Sequence, residues 1–128
     1  MKKGLMTLFF IFILLSGCST DSGRITAKDV LRQKSDADIF QFDGFIYSNI
    51  TKVEWFNEEK GSYIKQRLIG KIKKQSNSTF GFSNFTATKL PIGTKIYSTR
   101  KKEKGSDVII VEYKGKELYY IKLLEGLL

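Results

Sequence analysis

The side chains able to do chemistry are few, and their types exclude more than their spacing suggests. The chain has no histidine, which removes the commonest general base near neutral pH and the commonest imidazole metal ligand. It has a single cysteine, Cys18, so no internal disulfide and no multi-thiolate zinc site can form within it. Asp36, Asp38 and Asp43 lie close enough in sequence to share a cation, but they lack the spacing, the Gly and the closing Glu of an EF-hand loop. Glu54, Glu58 and Glu59 offer a carboxylate pair of the kind glycosidases use, yet their spacing is that of a solvated turn. No glycine-rich loop of Walker or Rossmann spacing is present. No metal and no cofactor is expected, and the chain reads as non-enzymatic.

What remains is the chemistry of positive charge. There are 22 Lys and Arg against 13 Asp and Glu, a formal net charge of +9. One basic group is Lys65, Arg67, Lys71 and Lys73, and a second is Arg100, Lys101, Lys102 and Lys104. In an extended strand of period two, Ile64, Leu68 and Ile72 would face a core and the first basic group would face solvent. Such a face suits an anionic membrane surface or anionic wall polymers, and the expected partner is another envelope protein or an anionic envelope component. Apolar docking is the alternative, with Trp55-Phe56 or Phe80-Gly81-Phe82 as the patch. Basic residues interleaved with aromatics also occur in binders of single-stranded nucleic acid, but the leader argues against nucleic acid as a partner.

That leader is the first eighteen residues. Lys2 and Lys3 precede an apolar run from Leu5 to Leu15, and Ser16, Gly17 and Cys18 follow. A positive start, a short apolar run and small residues at its end make a secretory signal. As a helix the run would rise about 16 Å, too little for a hydrocarbon core of about 30 Å. Leu15-Ser16-Gly17-Cys18 resembles the lipobox of bacterial lipoproteins. In that family the Cys thiol is joined to diacylglycerol and the chain is cut before it, which would account for the lone cysteine. The resemblance implies a signal peptide over 1–17, a lipidated Cys18 with a tether over 18–24, and one globular domain over 25–128. It places the mature protein on the extracytoplasmic face of the cell membrane. Beyond the leader, the chain is similar to small lipoproteins of low-GC Gram-positive bacteria. The residues concerned are Ala37-Asp38-Ile39-Phe40, Asp43-Gly44, Tyr47, Glu54-Trp55 and the stretch from Ala87 to Tyr97. That group implies no activity.

The elements that must position these residues follow from local pattern. Thr26 as a cap with Asp29 three residues on predicts a short helix ending near Lys34, with Ile25, Val30 and Leu31 as a thin apolar stripe on the domain's surface. Ile39–Phe42, Asp43-Gly44 and Phe45–Tyr47 read as a hairpin. Residues 49–57 are a short strand or a helical turn. Tyr63–Lys74 is a strand, 75–79 a polar loop, and Pro91-Ile92-Gly93 a tight turn into a strand at Thr94–Ser98. Arg100–Asp107 reads as a charged loop. Val108–Tyr113 is a central strand, and Lys114-Gly115 turns into a last one over Glu117–Leu124. Tyr119 and Tyr120 are adjacent on a strand, so one ring should be exposed. The expected class is α+β to mostly β: one N-terminal helix and a small curled antiparallel sheet, or partly open barrel, of about five to seven strands.

Overall fold

Three turns of the same kind build most of the sheet. Phe42 pairs with Phe45, Lys101 with Lys104 and Tyr113 with Lys116, so each turn holds two residues. Those residues are Asp43-Gly44, Lys102-Glu103 and Lys114-Gly115, and all six have positive φ. That backbone matches the right-handed twist of the flanking strands, which is why two-residue hairpins use it. The hairpins come from a computed structural model that describes residues 24–124.

The elements are α1 (Ala27–Gln33), β1 (Ile39–Phe42), β2 (Phe45–Asn49), α2 (Glu54–Asn57), β3 (Ile64–Lys71), β4 (Lys74–Gln75), β5 (Thr86–Ala87), β6 (Lys95–Lys101), β7 (Lys104–Tyr113) and β8 (Lys116–Lys122). A 3-10 turn over Lys60–Ser62 leads into β3. The strands form one sheet in the order β3-β6-β7-β8-β2-β1-β5-β4. All pairs are antiparallel except β4 with β5. The fold is mostly β with two short helices, as expected, and the strand number is eight rather than five to seven because β4 and β5 are two-residue pieces.

β3 and β4 stand at opposite edges, yet only Ile72 and Lys73 separate them in the chain. The run 64–75 therefore pairs with β6 through its first part and with β5 through its last, and the sheet curls into a half-barrel. Phe85 joins the two edges. Its N–H donates to the Gln41 carbonyl at 2.7 Å, and its own carbonyl accepts from the N–H groups of Lys73 and Lys74 at 2.8 and 3.3 Å. Its ring lies over Gly70, where a Cβ would come within 2.5 Å of the ring edge.

Three apolar clusters explain which residues are buried. The barrel interior holds Phe40, Tyr47, Ile72, Ile96, Ile109, Val111 and Tyr120. α1 lays Ile25, Ala27 and Val30 over the outer side of the first hairpin, against Ile39, Ile46 and Leu123. α2 lays Phe56 over Ile50 and Val108, with Tyr119 and Ile121 beside them. Both faces of the sheet are thus covered in places, so neighbours such as Ile39 and Phe40, and the four residues Val108–Val111, are all buried. Tyr120 is fully buried and its hydroxyl donates to Asp38 Oδ1 at 2.8 Å. Asn49 Nδ2 donates to Asp38 Oδ2 at 2.9 Å, so both carboxylate oxygens are used.

The helix has the expected capping box: Asp29 N–H donates to Thr26 Oγ1, and Thr26 N–H to Asp29 Oδ2. Its stripe is not a surface feature but closes the second cluster. Residues 49–57 resolve as a helical turn. Pro91–Thr94 is a tight turn, with Thr94 N–H donating to the Pro91 carbonyl and Gly93 at φ 93°. Residues 74–75, at the start of the expected loop, form β4 because the strand run is drawn across to β5. Arg100–Asp107 is not a loop: β6 and β7 continue through it as a hairpin closed by Lys102-Glu103. Neither ring of Tyr119-Tyr120 is fully exposed, because α2 covers the side to which Tyr119 points.

The close approach at Gly70 is directly testable. Gly70→Ala should lower stability by about 1–3 kcal/mol, the usual cost of forcing atoms into a packed site. Gly105→Ala, with nothing near its would-be Cβ, should shift it by no more than about 0.5 kcal/mol. Urea denaturation of the two variants checks this.

Candidate functional site

β3 is an eight-residue edge strand, and its five residues from Ile64 to Leu68 are all exposed. Ile64 is 49% and Leu68 48% exposed. This overturns the expectation that Ile64 and Leu68 face a core. Only Ile72 does so, beyond the strand's end. The alternation was legible, but no layer covers the outer side of β3, and its pairing with β6 slips between Lys65 and Leu68 and again between Leu68 and Gly70. Such irregularities shift which face a residue takes, and Ile69 packs toward the interior instead.

The four basic residues expected on one face are separated accordingly. Lys65 lies opposite Thr99 and Lys71 opposite Lys95, while Arg67 falls in the irregular stretch between. Lys73 lies past the end of β3, with Nζ 5.0 Å from the centre of the Phe85 ring. Lys65 is engaged internally. Its Nζ reaches Glu112 Oε2 at 2.7 Å and Glu117 Oε2 at 3.2 Å, and it stands over the Tyr97 ring. The second basic group ends the β6–β7 hairpin. Lys101 pairs with Glu59 at 3.6 Å and stands over Tyr63. Arg100, Lys102 and Lys104, like Arg67 and Lys71, have no ion pair among the described residues. Ile64 pairs with Arg100, so the hairpin and the start of the free edge are neighbours. The site that geometry assembles is Ile64, Arg67, Leu68 and Lys71 along an open strand edge, with Arg100, Lys102 and Lys104 beside it.

The carboxylate with the most partners on the sheet is Glu112, which Lys65 and Tyr97 hold ionised. The hydrogen bond from Lys65, then that from Tyr97, holds the Glu112 carboxyl below its ordinary value of 4.5. The bonds to Glu112 and Glu117 hold Lys65 above its ordinary 10.5. A general acid at neutral pH needs the opposite shift. A groove of about 410 Å³ beside the end of α1 is lined by Lys34, Asp36, Asp38, Ser48 and Asn49. Its Asp38 carboxylate is committed to Tyr120 and Asn49. Among the described residues no three His, Cys, Asp or Glu side chains gather as metal ligands.

Trp55, on α2, is 55% exposed with its ring edge-on to buried Phe56. Phe80 is 90% exposed, whereas Phe82 packs against the α1 cluster. Each expected apolar patch is therefore a single exposed ring beside a buried or half-buried one. Cys18 and the whole leader lie outside the described residues. No helix among the described residues is long and apolar enough to cross a membrane. The chain matches no family model, no curated protein and no solved structure.

Sequence reasoning missed the free edge, because edge position depends on which strands come together. The hairpin beside it gave no local signal either. Lys102-Glu103 holds two non-glycine residues at φ 50° and 68°, where Asn-Gly would be at ease. The turn thus places two charged side chains on a backbone that neither favours. Replacing the pair by Lys102→Asn with Glu103→Gly should raise stability by about 0.5–1 kcal/mol, read as an upward shift of the urea midpoint. A second outcome concerns pH. A carboxyl held low in the fold contributes stability that is complete above its unfolded value and is lost as pH falls through the folded one. Glu112→Gln should therefore lower the neutral plateau, only slightly because both partners are solvent-exposed, and flatten the decline below about pH 4.5, where variant and wild type converge.

Proposed function

We propose that this chain is a membrane-tethered, extracytoplasmic lipoprotein that acts as a non-enzymatic binding domain. Its partner is an envelope protein that presents an acidic, extended segment. The observation that supports this best is the open edge of β3, where unpaired strand, two exposed aliphatic side chains and unpaired basic residues occur together. An added strand gains affinity from main-chain hydrogen bonds and specificity from alternate side chains. Ile64 and Leu68 supply the apolar anchors. Arg67 and Lys71, with Arg100, Lys102 and Lys104 on the neighbouring hairpin, select for negative charge. The register slips and charges of β3 keep it from pairing with a second copy of itself. Lys65 and Lys73 belong to the internal structure of the domain rather than to the contact.

The reading of the leader supports the location. Its charged start, short apolar run and Leu15-Ser16-Gly17-Cys18 sequence fit attachment through a diacylglyceryl group, whose two chains suffice for stable anchoring. The alternative, a regulator that docks through a purely apolar patch, is less well supported, because Trp55 and Phe80 each stand alone.

A photo-crosslinking amino acid at position 66, in the full chain expressed in a bacterial host, provides the test. One envelope protein should be captured through an acidic segment. Arg67→Glu with Lys71→Glu, and separately Ile64→Lys with Leu68→Lys, should each reduce capture at least about tenfold. Capture should also weaken as salt rises. Equal capture by wild type and both double variants would overturn the edge as the binding surface. Loss with the aliphatic pair alone, insensitive to salt, would favour the apolar regulator.

A further inference from the structure

The most exposed apolar side chain in the described domain is Phe80. It sits on the segment 76–84, and that segment is firmly held. Ser76 N–H donates to the Ala87 carbonyl, and Asn84 Oδ1 accepts from Gly44 N–H and Gln41 Nε2. Phe82 packs into the cluster under α1. Ser78 N–H and Phe80 N–H are taken by the hydroxyls of Ser76 and Ser78. Phe80 is thus presented to solvent by a fixed support, which is costly for a large apolar ring with nothing against it.

Its location supplies the occupant. Thr79 and Phe82 line the same groove as Arg24, Ile25 and Thr26, where the folded domain begins. Only residues 19–23 lie between Arg24 and Cys18, and a chain of that length reaches at most about 20 Å. A domain anchored at Cys18 therefore holds this end against the bilayer. Arg24 and Lys28 line that groove beside Thr79, and Lys74 Nζ lies beside Gly81. Asp29 is engaged in the helix cap and Asp43 sits on the nearby hairpin turn, so the end is basic by a small margin and the ring provides the main contact.

We propose that Phe80 inserts into the headgroup region of the bilayer and, with the tether, fixes how the domain stands on the membrane. This rests on the anchoring proposed above. Aromatic rings at an interface with basic neighbours are the usual side-chain choice for that depth. The eight residues of β3 carry Ile64 about 25 Å from the β4 end, so the open edge points into the envelope.

The full chain, expressed in a bacterial host and isolated with its membranes, is transferred to vesicles of phosphatidylglycerol and phosphatidylcholine with brominated acyl chains. Intact-mass measurement reports whether Cys18 carries diacylglycerol. Absence of the adduct overturns the anchoring, whereas quenching reads the contact itself in whatever protein stays with the vesicles. The double variant Phe80→Trp, Trp55→Phe has its one indole at position 80. Its fluorescence should be quenched about twofold or more by the brominated chains, as expected of an interfacial ring. Emission from Trp55 in the unsubstituted chain should be unaffected. Equal emission of the double variant in brominated and ordinary vesicles, with the protein still attached, would overturn the proposal.

Discussion

Phe85 holds a backbone angle of φ 67°, in the region where a side chain crowds its own carbonyl and a bulky residue is rarely found. That strain costs of order 1–3 kcal/mol. It is offset by three backbone hydrogen bonds, which connect β1 to the β3–β4 run, and by a ring that fills the space over Gly70 and meets Phe42 at 5.7 Å. The β4–β5 pairing and the Ser76–Ala87 bond hold the same junction, and Phe85 adds the ring that fills it. With it, the interior cluster around Phe40, Tyr47 and Tyr120 is sealed at the β4 end. Closure at one end also leaves β3 bare at the other. The open edge is a by-product of how the barrel is joined.

Local features of this fold were legible and long-range ones were not. Asp43-Gly44 and Lys114-Gly115 announce their turns because glycine accepts positive φ, and Thr26 with Asp29 announces a helix because the two side chains satisfy each other's backbone donors. Lys102-Glu103 offered no such notice, since nothing about a lysine and a glutamate favours that backbone. The alternation of β3 suggested a buried face and an exposed one, yet Ile64 to Leu68 are all exposed. Which face is covered depends on neighbours such as β6, drawn from residues far along the chain. The same holds for charge: Lys65 looked free until Glu112 on β7 and Glu117 on β8 came to meet it. One ring of Tyr119-Tyr120 was expected in solvent, and α2 covers the side to which Tyr119 points.

The molecule is polar along its length in a structural sense. α1, the first hairpin turn and the segment 76–84 form one end, where the chain enters the fold. The β6–β7 hairpin, Tyr63 and α2 form the other, tied by Lys101 to Glu59 and by Phe56 to Tyr119. The single long run 64–75 passes from one end to the other. Charge follows the same division. Basic residues near β3 are either neutralised on the sheet, as Lys65 is, or stand unpaired at its rim, as Arg67 and Lys71 do among the described residues. Composition alone cannot make that distinction, because a net charge of +9 counts both kinds alike.

Arg24 meets Leu124 in a single antiparallel bridge, so a pull on the chain where it enters the fold would arrive first at one ladder step. Such a step opens like a zip, one pair at a time, and it is the weakest joint in line. The next layer to feel the load is α1, which is seven residues long and is held by a few apolar side chains. β1 lies behind it between β2 and β5, and freeing it would require two rows of bonds to yield together. The outer layer is therefore held less firmly than the strands behind it. It can give way and re-form under tension while the barrel, and the edge it presents, keep their shape.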